Sequence, residues 1–212
     1  MRKIRMSSLL ISTLITSLGF AASADVKSTQ AQTLQDAEKN IKQSFQEKGL
    51  AHLDRLDQSE MQKSCTIYAR KKMPEALQKR LEKQAFDSVK MPVDGQFLGD
   101  WKEGEKIAQN GRGMQFSDDS KTINGGNCYA CHQITKAEIS FGNIGPSLAE
   151  YGKLRGGPNK DVVEYTWRKI YNSHSVNACS VMPRYGAAAI LTEQQIKDVM
   201  ALLLDPKSPV NQ

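Results

Sequence analysis

The feature that most constrains this chain is one pentapeptide, Cys128-Tyr129-Ala130-Cys131-His132, which is a C-x-x-C-H motif. Two thiols at this spacing can add across the two vinyl groups of one haem, and the histidine after the second thiol then lies under the iron as its proximal ligand. The motif occurs once in the sequence. It therefore predicts a single covalent haem, attached through Cys128 and Cys131 and ligated by His132.

Two other uses of a C-x-x-C pair fit the sequence less well. A thioredoxin-type redox pair belongs in a βαβ setting, whereas the turn-like Asn-Gly-Gly-Asn of residues 124–127 precedes Cys128. A tetrahedral zinc site needs a second pair of ligands, and the sequence contains no other C-x-x-C and no H-x-x-x-H. Covalent haem therefore remains the prediction.

Residues 1–24 have the pattern of a cleaved secretory signal peptide. Three basic residues among the first five precede an apolar stretch over residues 7–20, and Ala22-Ser23-Ala24 matches the small-x-small cleavage pattern. An uncleaved anchor helix is the alternative, although the stretch is short and rich in Ser and Thr for a membrane span. Because c-type haem is attached on the exported side of bacterial membranes, motif and signal together predict a periplasmic protein without membrane attachment after cleavage.

The charge balance excludes one class of partner. Cleavage after Ala24 would remove three basic residues and lower the formal net charge from +6 to +3. Such a mildly basic chain is not expected to bind nucleic acid.

Two cysteines remain outside the haem motif, Cys65 and Cys179. In an oxidising compartment an even leftover pair favours a disulfide. The bond would close a loop of over 100 residues, which stabilises a protein by about 4–5 kcal/mol in the chain-entropy model. The alternatives are two buried free thiols, or one thiolate that ligates iron.

The composition of the mature chain changes near residue 95. Residues 25–95 are rich in Gln, Lys, Glu and Leu and poor in Gly, which predicts a helical N-terminal extension. In residues 96–212, helices alternate with loops rich in Gly and Pro, and Asp100 and Thr192 are each followed three residues later by Glu or Gln, as in a capping box. We therefore predict an all-α fold whose haem-binding part is residues 96–212.

The second face of the haem needs a ligand, and the candidates are Met182, His174, Met114 and His52. Met182 lies downstream of the haem motif in a polar loop, next to Pro183, whose fixed φ stiffens the backbone. Met200, by contrast, lies on the apolar stripe of the predicted last helix and fits a core position. We predict Met182 as the distal ligand, with His174 as the alternative.

A thioether ligand has consequences for function. It favours Fe(II) and fills the sixth coordination position, so His132 and Met182 together predict electron transfer rather than oxygen chemistry. We also expect Gly145-Pro146 to offer a backbone carbonyl to the other ring nitrogen of His132. Arg184 is expected to pair with a haem propionate, the alternative being an exposed loop charge.

Several segments carry a resemblance to one family. One of these segments is the haem motif together with Gly126-Asn127, which precedes it. The others lie on both sides of the motif in the sequence: Gly99-Asp100-Trp101-Lys102, Gly104-Glu105-Lys106-Ile107-Ala108, Gly145-Pro146-Ser147-Leu148, Val181-Met182-Pro183-Arg184-Tyr185-Gly186, Leu191-Thr192, Leu204-Asp205-Pro206 and Ser208-Pro209-Val210-Asn211. Together they resemble SoxX, the monohaem subunit of the SoxAX cytochromes of sulfur-oxidising bacteria. The resemblance covers roughly residues 99–211. It implies a class I cytochrome c fold around one covalent haem c, preceded here by the helical extension.

The resemblance also implies an activity for the complex. In that family, SoxAX joins thiosulfate oxidatively to a cysteine of the carrier protein SoxYZ, an L-cysteine S-thiosulfotransferase reaction that releases two electrons. The catalytic haem belongs to the SoxA partner, and the X subunit passes the electrons to a soluble cytochrome c. Carried over to this sequence, Cys128 and Cys131 attach the haem, His132 and Met182 are its axial ligands, and the chain itself has no catalytic residue.

Two other functions remain open from the sequence. One is a free-standing electron shuttle without sulfur chemistry, in which the extension serves docking or stability. The other is a haem sensor or peroxidase in which Met182 leaves the iron.

Overall fold

The computed structural model describes residues 21–212, with side chains described from residue 32 onward. The predicted signal peptide, residues 1–24, thus lies almost wholly outside the described residues. The chain divides into two compact units, and the described part of the first, which ends at Gln46, is mainly helix α1 (Ala21–Ser44). Two large apolar side chains at the end of α1 are exposed: Ile41 is 45% exposed, and Phe45, which follows the helix, is 56% exposed.

The second unit, Glu47–Gln212, is built from short helices. Its α-helices are α2 (Glu60–Ile67), α3 (Glu75–Asp87), α4 (Trp101–Gln109), α5 (Tyr151–Leu154), α6 (Lys160–Tyr171) and α7 (Glu193–Leu204). Single 3₁₀ turns lie at Leu53–Leu56, Cys128–Ala130, Ser173–Ser175 and Pro209–Asn211. No β-strand occurs within residues 21–212, and the all-α prediction is confirmed. None of the helices in this described range combines the length and apolar character needed to cross a membrane.

Helix α7 is the centre of the second unit. Thr192 caps its N-terminus: the Thr192 hydroxyl accepts a hydrogen bond from the backbone N–H of Gln195, and the Gln195 side chain accepts one from the backbone N–H of Thr192. This is the capping box that the sequence predicts. All of its residues from Ile196 to Leu204 are buried, because α4, α5, α6 and the turn Pro209–Asn211 pack around it. At the crossing with α4, a Cβ on Gly104 would overlap the backbone of Asp198, so only glycine permits this close approach.

Helices α2 and α3 form a hairpin with a small core of its own. Met61, Met73 and Leu81 pack there with Ala178, which comes from the far end of the sequence. The Cys65–Cys179 disulfide joins α2 to the same region with an S–S distance of 2.08 Å, so the predicted pairing is confirmed. The hairpin belongs to the same compact unit as residues 96–212, although its sequence lies in the predicted extension, residues 25–95.

Candidate functional site

A cavity of about 490 Å³ brings the predicted haem-binding residues together. Cys128, Cys131 and His132 line it from the motif, and Met182 lines it from the loop after the turn Ser173–Ser175. Most of the remaining lining is apolar and includes Ile134, Pro146, Leu148, Ile170, Leu191, Val199, Leu202 and Leu203. The cavity therefore offers two thiols, an imidazole and a thioether to one apolar space.

The haem motif is held in a single tight turn. Asn127 has a left-handed backbone, with φ 47°, a conformation that asparagine tolerates better than most residues. The Cys128 carbonyl then accepts from the N–H groups of Cys131 at 3.1 Å and His132 at 2.9 Å. Burial raises the pKa of the Cys128 thiol to about 12, so an unattached Cys128 is protonated at neutral pH.

The ring of His132 is fixed through its Nδ1 atom. Nδ1 lies 2.7 Å from the carbonyl oxygen of Pro146, which can only accept a hydrogen bond, so Nδ1 carries the proton. The lone pair is therefore on Nε2, the atom that can ligate a metal. Gly145 and Pro146 stand beside His132 as the sequence predicts, and the Gly145 N–H also donates to the Cys131 carbonyl at 2.8 Å.

Gly145→Ala is expected to displace the His132 ring. A Cβ at this position would overlap three of the ring atoms, so either the ring or the loop must move, at a cost of about 1–3 kcal/mol for an overpacked site. We expect a lower yield of haem-loaded protein and an altered ferric absorption spectrum. Gly111→Ala is the matched control, because the nearest atoms to its methyl would be those of the Asn127 side chain, at 3.3–3.4 Å. An unchanged spectrum in Gly145→Ala would contradict the placement of the ring.

Met182 is the candidate distal ligand that lines the cavity, and the other candidates do not. His174 is 7% exposed and its Nε2 lies 3.2 Å from the Ser180 carbonyl. His52 is exposed beside Glu47, and Met114 lies outside the cavity. Met200 is fully buried in the main core, as expected from its helical stripe.

The positive charge at the cavity comes from a residue that the sequence did not single out. Lys169 on α6 lines the cavity, and burial lowers its pKa. Arg184 does not line the cavity. Its charge is close to His174, whose pKa is lowered mainly by burial and to a smaller extent by Arg184. The pairing of Arg184 with a propionate therefore stays a prediction, while Lys169 is a second candidate for that role.

Tyr185 is a further site residue that the sequence did not reveal. Its hydroxyl donates to the Gly126 carbonyl at 2.5 Å and so connects the Met182 loop to the haem motif. The side chain is 7% exposed and lines the cavity. The hydroxyl of a buried tyrosine usually has a hydrogen-bond partner, but the local sequence around a tyrosine does not indicate which group that partner is.

The residues present fit a covalently bound haem: thiols and an imidazole in one turn, a thioether from a second loop, and an apolar cavity shared by all of them. A relative of 38% identity over 136 residues is an uncharacterized lipoprotein of Aquifex aeolicus (strain VF5), and the match covers 61% of each chain. A model of the cytochrome c family matches residues 101–206, which is half of this chain. Covalently attached haem c is the cofactor of that family. The chain belongs to the cytochrome c family.

Proposed function

We propose that this chain transfers electrons through a haem c whose iron has His132 and Met182 as axial ligands. The observation that supports this most is that both side chains line the same cavity as Cys128 and Cys131. When bound, the haem supplies a one-electron Fe(III)/Fe(II) couple. His132 and Met182 would hold its iron through an imidazole and a thioether, a ligand pair that favours the ferrous state and suits electron transfer.

Each residue of the site has a separate task in this proposal. Cys128 and Cys131 fix the position of the haem, and the Pro146 carbonyl orients His132. The apolar lining, which includes Ile134 and Leu202, excludes water and so raises the reduction potential further. These tasks are positioning and electrostatic ones, and none of them requires a reacting residue on this chain.

We further propose that the chain is the electron-accepting subunit of a periplasmic, SoxAX-like thiosulfotransferase complex. The resemblance over residues 99–211 supports this assignment, and the signal pattern and the disulfide support the location, because disulfides persist in oxidising compartments. In this proposal a SoxA-like partner carries the catalytic haem, and thiosulfate is coupled to a cysteine of a SoxYZ-like carrier. This chain would receive the electrons singly and pass them to a soluble cytochrome c.

The test is to purify the mature protein from its native periplasm and to follow thiosulfate-dependent reduction of its haem. We expect a second, cysteine-ligated cytochrome to co-purify, and reduction to require that partner and the carrier protein. A monomeric protein that thiosulfate does not reduce under any of these conditions would contradict the SoxAX-like role and favour a free-standing shuttle. Rapid binding of carbon monoxide by the ferrous protein without denaturant would favour a sensor or peroxidase.

A further inference from the structure

The segment that carries the distal ligand, residues 172–182, is attached to the α2–α3 hairpin at three places. The first is covalent, through Cys179 and Cys65. The second is apolar, because Ala178 is 4% exposed and lies in the hairpin core with Met61, Met73 and Leu81. The hairpin is therefore in contact with the loop that presents Met182.

The third attachment is a hydrogen-bonded side chain at the start of the segment. Asn172 is 6% exposed, and its Nδ2 donates to Ser88 Oγ at 3.0 Å, at the end of α3. Its Oδ1 accepts from the His174 N–H at 3.2 Å, which caps the turn Ser173–Ser175. Asn172 thus links the end of α3 to the turn that precedes the distal loop.

The backbone of Met182 is held on both sides by serine hydroxyls of the same segment. Ser173, which is fully buried, donates from Oγ to the Met182 carbonyl at 2.6 Å. The Met182 N–H donates to Ser180 Oγ at 3.2 Å. Both polar groups of the Met182 peptide backbone are therefore satisfied by residues whose own positions depend on the hairpin.

We propose that Ser173 is a positioning residue for the distal ligand, and that the α2–α3 hairpin braces the segment in which it lies. The proposal rests on the assignment of Met182 as the sixth ligand of the iron. A methionine side chain is long and has three rotatable bonds, so its sulfur reaches a fixed point only if its backbone is held. In this protein the bond from Ser173 holds that backbone, and the hairpin holds Ser173.

The direct test compares Ser173→Ala with Ser175→Ala in the haem-loaded protein. Ser175 lies in the same turn and donates to the carbonyls of Asn172 and Arg168, but it has no bond to Met182. The readout is the weak long-wavelength sulfur-to-iron absorption band of the ferric form, followed during heating. Loss of one buried hydrogen bond should increase the fraction of protein that has lost the band by about threefold to tenfold. We expect this increase, with a lower reduction potential, in Ser173→Ala and not in Ser175→Ala.

Two further variants separate positioning from general destabilisation. Ser180→Ala removes the bond to the Met182 N–H at a half-buried site, and Ser88→Ala removes the exposed hairpin partner of Asn172. We expect each to weaken the band at temperatures where far-ultraviolet circular dichroism shows the helices intact. Band loss that coincides with unfolding in every variant would overturn the proposal, as would equal behaviour of Ser173→Ala and Ser175→Ala. Absence of the band in the unmodified protein would instead overturn the assignment of Met182.

Discussion

Met182→Leu is expected to abolish the sulfur-to-iron absorption band and to leave the sixth coordination position open. Leucine has a similar volume but no donor atom, so the apolar packing around the cavity is retained while the ligand is lost. Carbon monoxide should then bind the ferrous protein rapidly. The reduction potential should fall by a sizeable part of the roughly 0.8 V span that axial ligation covers in haem proteins.

Met200→Leu is the matched control for this substitution. It makes the same chemical change at a methionine that is fully buried in the main core and is not among the residues that line the cavity. We expect the band, the potential and the slow reaction with carbon monoxide to be retained in this variant. If Met182→Leu kept the band, the assignment would be wrong, and another sulfur, such as that of Met114, would have to be the ligand.

Replacing both Cys65 and Cys179 with alanine is expected to lower the free energy of unfolding by about 4–5 kcal/mol. The disulfide closes a loop with a sequence separation of 114 residues, and its loss returns that conformational freedom to the unfolded chain. Denaturant titration of both proteins, followed by circular dichroism, measures the difference. The variant should unfold at a clearly lower denaturant concentration.

A reducing agent provides the control for the disulfide experiment. Reduction should bring the unmodified protein to the stability of the double variant, while the variant itself should not respond, because its haem-linked sulfurs are thioethers rather than disulfides. Equal stability of the two oxidised proteins would contradict the expected net stabilisation by the cross-link. A variant that responds to the reductant would show that a different sulfur bond is present.

Features that depend on neighbouring residues could be predicted from the sequence. The cap at Thr192, the apolar stripe of α7 and the turn that holds the haem motif all follow from spacings of three or four residues. The Cys65–Cys179 pairing could also be predicted, although its partners are distant, because the haem motif uses the other two of the four cysteines.

Features that depend on packing between distant segments could not be predicted. Lys169 lies beside the buried stripe of α6, and only the packing of α6 determines that it reaches the cavity. The bond from Tyr185 to Gly126 joins positions 59 residues apart, and nothing in either local sequence indicates it. Glu103 follows Asp100 at the capping-box spacing but pairs with Lys106 instead, since an exposed carboxylate has more than one partner available.

The acceptor of the His132 hydrogen bond also limits the chemistry of the iron. The Pro146 carbonyl is uncharged and cannot take the Nδ1 proton, so it gives the ring no imidazolate character. A carboxylate in that place would give the ring imidazolate character and make it a stronger electron donor, which is the property that favours cleavage of an O–O bond. None of the described residues lining the cavity is Asp or Glu. Even with Met182 removed, this protein should therefore bind small ligands without becoming an efficient peroxidase.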